Sequence, residues 1–209
     1  MPVIALVGNK GGAGKTTLCI NLASGLAERD STIVLDADPQ RSSANWHGIT
    51  DGGAPFPVLA ASENLTAAAD ESADIARYLV IDCPPSVHSQ QTADALARAD
   101  LALIPVQPSP LDLWASVQIE DEIERARQSN PRLQALLVIN QLEPRTRLSR
   151  LMRDALAELS LPAAETAIRR RMIYRNAIIR GRSVLEMGSQ GTAAADEIRQ
   201  LIEEMVNLL

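Results

Sequence analysis

Lysine is almost missing from this chain. It has 20 Lys+Arg in 209 residues, yet only Lys10 and Lys15 are lysines. Aromatic residues make up 2%, so the core has to come from Ala, Leu, Ile and Val within an apolar content of 46%. Two cysteines, Cys19 and Cys83, fall in predicted core elements and form no C-x-x-C pattern. They read as small buried thiols in a cytoplasmic protein without disulfides. His47 and His88 stand alone, which leaves no spare histidine for a metabolic active site. No apolar run reaches 18 residues, so no membrane span is predicted. The apolar start lacks a basic n-region and does not read as a signal peptide. No segment repeats, and no linker separates parts of the chain, so residues 1–209 are expected to form a single domain.

What is present begins at once. Val3-Ile4-Ala5-Leu6-Val7 reads as a buried strand, and Leu18 to Ala27 reads as a helix. Between them lies Gly8-Asn9-Lys10-Gly11-Gly12-Ala13-Gly14-Lys15-Thr16-Thr17. A glycine loop between strand and helix turns its N–H groups around phosphate oxygens, and the helix N-terminus adds partial positive charge. Lys15 is placed to reach the β- and γ-phosphates, and the Thr16 hydroxyl to ligate Mg²⁺. The loop keeps the chain's only lysines. A compact ammonium on a flexible stem suits a phosphate cluster better than a planar guanidinium does.

Lys10 to Thr17 resembles the deviant Walker A motif of the ParA/MinD family, with Asn9 standing at the first glycine position. The resemblance continues at Asp36-Ala37-Asp38-Pro39-Gln40, at Tyr78 to Pro85, at Ile104 to Asp112 and at Gly181 to Glu186. It implies a doubly wound α/β domain with a mostly parallel sheet of about seven strands, the P-loop NTPase fold. It implies ATP and Mg²⁺ as cofactors, with Gly11, Gly12, Ala13, Gly14, Lys15, Thr16 and Thr17 cradling the nucleotide. Lys10 would cross a dimer interface to the partner's nucleotide, Lys15 would bind its own, and Asp38 would orient the attacking water. Thr16, Asp38 and Asp82 would surround the metal. Asn140, at a strand end, resembles the family's adenine contact; a turn residue is the other reading. The nitrogenase iron protein shares this loop and bridges a cluster through two cysteines, but Cys19 and Cys83 fit a buried role better.

Further strands are predicted at Thr32–Leu35, Val58–Ala61, Tyr78–Asp82, Leu101–Val106 and Leu136–Gln141, and helices at 63–76, 113–128, 146–159 and 190–209. Leu113, Val117, Ile123 and Ala126 are expected to face the core from one helix. Leu148, Leu151, Met152, Ala155 and Leu159 should do so from the next. In the last helix Ile198, Leu201, Ile202, Met205 and Leu208 make an apolar stripe, with Asp196, Glu197, Glu203 and Glu204 on the solvated side.

Charge changes sign late in the chain. Residues 143–182 hold ten arginines against four carboxylates, while the remainder carries ten basic residues against 22 acidic ones. Arg147, Arg150, Arg169, Arg170, Arg171, Arg175, Arg180 and Arg182 are candidate DNA contacts; a salt-bridged face is the bland alternative. Length and an immediate start at the P-loop resemble the small partition ATPases. These dimerise with ATP, bind nucleoid DNA without sequence preference, and hydrolyse ATP when a ParB-like or cargo adaptor protein stimulates them. A MinD-like membrane ATPase would need a basic amphipathic tail, and residues 192–209 are acidic. A metabolic P-loop enzyme is the other rival.

Overall fold

Strands that are apolar without interruption need cover on both faces. The computed structural model supplies it with alternating strands and helices. These are β1 (Val3–Leu6), α1 (Lys15–Ala27), β2 (Thr32–Asp36), α2 (Ser42–His47), β3 (Val58–Ala60), α3 (Leu65–Ser72), β4 (Tyr78–Asp82) and α4 (Gln90–Arg98). Then follow β5 (Leu101–Val106), α5 (Pro110–Ser129), β6 (Gln134–Leu142), α6 (Arg147–Leu156), β7 (Ile168–Arg169), α7 (Met172–Ile179) and α8 (Thr192–Val206). The backbone is described for every residue but 52 and 157, and side chains for all but these and 110–115, 147–150 and 153. Among the described residues no helix is long and apolar enough to cross a membrane.

The sheet order is β3-β2-β4-β1-β5-β6-β7, and every pairing is parallel. The seven strands match the expectation. Side chains alternate across each strand. Ile4, Leu6, Val34, Val80, Leu103 and Val138 face α1, α2, α7 and α8; Ala5, Ile33, Leu35, Ile81, Ile104 and Leu137 face α3 to α6. The chain moves outward from β1 to β2 and β3, then returns to place β4 between β2 and β1. Beyond the carboxyl ends of β1, β2 and β4 lie the glycine loop, Asp38 and the Cys83-Pro84-Pro85 turn. Open parallel sheets hold their ligands at that position.

Several expectations need correction. Val117 on α5 is 49% exposed and Leu151 on α6 is 52% exposed, while Ile119 and Ile123 of α5 and Met152 and Leu156 of α6 are buried. Leu113 and Leu148 lie outside the described side chains. Leu208 follows the end of α8 and is exposed. Glu197, expected on the solvated side, is buried.

Candidate nucleotide site

The glycine loop, the ends of β2 and β4, the end of β6 and the segment from Ile168 to Ile179 enclose a cavity of about 750 Å³. That is within the range of small-molecule sites. Gly11, Gly12, Gly14, Lys15, Thr16 and Thr17 form one wall. Lys15 begins α1 and is 7% exposed, and its Nζ donates to the Lys10 carbonyl at 3.3 Å. Burial lowers its pKa, against the pull of Asp82, Cys83 and Asp38. Lys10, on the same loop, is exposed.

Two buried carboxylates stand behind the loop. Asp82 closes β4 with 0% exposure, and burial raises its pKa to about 6. Ser43 Oγ donates to its Oδ2 at 2.6 Å, and the Thr16 hydroxyl also favours the charged form. Its Oδ1 is buried with no hydrogen-bond partner. Asp36 closes β2 and accepts from the Ala44 and Asp38 backbone N–H groups at 2.8 and 3.2 Å. It thereby fixes the turn that carries Asp38, which lines the cavity and accepts from the Gln40 N–H at 2.9 Å.

An unpartnered carboxylate oxygen beside a threonine hydroxyl fits Mg²⁺, which binds through one or two carboxylates together with nucleotide phosphates. Among the described residues no cluster of three His, Cys, Asp or Glu could hold a metal by protein ligands alone. Cys19 and Cys83 are fully buried, and burial pushes both thiols up.

Asn140 also lines the cavity, 6% exposed. Its Nδ2 donates to the Ala13 carbonyl at 2.7 Å and its Oδ1 accepts from the Gln141 N–H at 3.0 Å. Two residues with no signal in the sequence join it: Gln107 and Gln141 both donate to the Gly12 carbonyl, at 2.7 and 3.3 Å.

The arginines divide. Arg169, Arg170, Arg171 and Arg175 line the nucleotide cavity, so basic side chains distant in sequence do approach the P-loop. Arg171 and Arg169 pair with buried Glu197 at 2.7 and 3.6 Å, and Glu197 also accepts the Arg169 N–H. Arg170 pairs with Glu143 at 2.5 Å. Arg175, Arg180 and Arg182 are exposed on and just beyond α7. Arg147 and Arg150 lie outside the described side chains.

The family model of the CobQ/CobB/MinD/ParA nucleotide binding domain matches residues 4–184, and the chain belongs to that family. Family and site together make it a P-loop ATPase, with ATP and Mg²⁺ as the cofactors its residues fit. Maintenance of carboxysome distribution protein A of Halothiobacillus neapolitanus is 41% identical over 210 residues, 97% of this chain and 95% of that protein. Among solved structures, the Pyrococcus furiosus cell division ATPase MinD superposes with a TM-score of 0.80 at 19% identity, covering 100% of this chain and 99% of that one. Cobyrinic acid a,c-diamide synthase of Mycobacterium smegmatis, with bound ATP analog and magnesium, superposes at 0.78 and 22% identity, over 99% and 94%. A cell division ATPase and a biosynthetic enzyme share this architecture, so fold alone does not choose between them.

Proposed function

We propose that the chain is a positioning ATPase that distributes an intracellular cargo, a carboxysome or a body like it, over the nucleoid. The geometry that carries this reading is one loop with two lysines in opposite settings. Lys15 is buried at its own phosphate site, while Lys10, one residue before Gly11 of the cavity wall, is exposed. A second ammonium on the outside of a phosphate loop suits the nucleotide of a second subunit. The near full-length relative named for carboxysome distribution supports the choice of cargo.

In this reading two subunits enclose two ATP molecules, and Lys10 neutralises charge on the partner's phosphates. Thr16 and Asp82 hold Mg²⁺, with Asp38 beside them orienting water. Arg175, Arg180 and Arg182 present the phosphate-binding surface for DNA. An adaptor on the cargo stimulates hydrolysis and releases the dimer. Arg171 is better read as the anchor of α7, because reversing its charge would set two carboxylates against each other in a buried pair.

The test is a gel shift on unrelated duplexes with ATP, ADP or no nucleotide, across a salt series. ATP alone should support binding. Affinity should fall with salt at a log–log slope of roughly −0.9 per phosphate neutralised. Arg180→Glu and Arg182→Glu, both outside the cavity lining, should together abolish retention while ATP binding persists. Equal binding in all three nucleotide conditions, or none in any, overturns the nucleoid reading and favours the metabolic one.

A further inference from the structure

We infer that Asn140, with Gln107 and Gln141, sets the shape of the phosphate-binding loop, and that the main work of the Asn140 amide is on the loop rather than on the base. The inference rests on the nucleotide-binding reading of the site.

A trans peptide unit points its carbonyl and its N–H in opposite directions. The Gly12 carbonyl shares a peptide unit with the Ala13 N–H, and the Ala13 carbonyl shares one with the Gly14 N–H. Gln107 and Gln141 capture the first carbonyl and Asn140 the second. Three amides from the ends of β5 and β6 therefore hold two carbonyls on the strand side of the loop. The two N–H groups are turned the other way, as phosphate oxygens require.

The backbone is adapted to this arrangement at both ends. Gly14 has φ +86°, and a Cβ there would lie 2.5 Å from Asn140 Nδ2. Gln141 has φ 60°, unusual for a residue with a side chain. It is tied down by its own N–H on Asn140 Oδ1 and by its side chain on Gly12. Backbone held in a sparsely populated region by surrounding contacts marks a conformation the site requires.

Base recognition and loop bracing make opposite predictions. A residue that reads adenine affects ATP and leaves GTP alone. A residue that shapes the loop affects every triphosphate and matters even without nucleotide. Fluorescent ATP and GTP analogues with Mg²⁺ should bind Asn140→Ala and Asn140→Asp more weakly by the same factor, on the order of tenfold. Hydrogen exchange of residues 8–18 without nucleotide should be faster in both variants. Gln107→Ala removes one of the two bonds to the Gly12 carbonyl and should show the same two effects at smaller size. It also keeps the test valid if the Asn140 variants fold poorly. Wild-type exchange in the loop, or a loss confined to the ATP analogue, overturns the inference. If the wild-type chain bound neither analogue, the nucleotide reading itself would fail, and the exchange measurement would still report on the brace.

Discussion

A carboxylate shut away from water resists ionisation, and Asp82 is the clearest case in the molecule. With its pKa raised to about 6 in the folded chain against about 3.9 unfolded, the folded state binds an extra proton between those values. Metal-free stability should therefore fall as pH rises from about 4 to about 7, by an amount on the order of 3 kcal/mol. The contribution is fully present below the unfolded pKa and gone above the folded one. Thermal melts of the metal-free protein across that range should show the decline, and Asp82→Asn should flatten it while removing Mg²⁺-dependent nucleotide binding. A wild-type curve parallel to that of the variant would contradict this account of the carboxylate. Asp82 itself is legible in sequence, since an apolar strand ending in Asp announces a metal-shell acid. Its clamp by Ser43 is not, because the two are 39 residues apart and meet only when α2 docks against the end of β4.

At the scale of elements, the turn that follows α7 is tightly constrained. Gly181 has φ +62°, and a Cβ there would come within 2.7 Å of the Ile49 carbonyl oxygen. Gly188 has φ +55° with nothing within 4 Å of an added Cβ. Gly188→Ala should cost only the backbone penalty, about 1 kcal/mol, whereas Gly181→Ala adds a backbone clash and should cost about 2 kcal/mol or more. Chemical denaturation of both variants measures the difference, and equal losses would mean that the Ile49 contact is soft. The central strands were readable because burial on both faces leaves uninterrupted apolar runs. β7 and α7 were not. β7 is two residues long and exists only by pairing with β6, and the surrounding arginines conceal the periodicity of α7. Glu197 looked like surface for a similar reason: the cations that allow its burial lie on the far side of a chain excursion and show no i,i+4 spacing.

At the scale of the whole molecule, an acidic body carries a basic flank that continues into the wall of the nucleotide cavity. A single flank should hold DNA weakly. On the proposed dimer, two flanks would make the second contact intramolecular and multiply affinity without new bonds. Lys10→Ala should still bind ATP but remain a monomer in sedimentation, and its DNA affinity with ATP should drop by roughly a hundredfold or more. An ATP-dependent dimer of that variant would remove Lys10 from the interface.

The scarcity of lysine has a consequence for reagents as well as for phosphates. To an amine-selective probe this protein offers two side-chain targets in all, and both sit on one loop. Lys15 is shielded by burial, so among the side chains acylation falls on Lys10. A fluorophore or crosslinker attached by ordinary amine coupling thus has one exposed side-chain target, at the proposed subunit seam, with the α-amino group of Met1 as the other reactive amine. The same chemistry used to fix the protein to a solid support would block the contact under study.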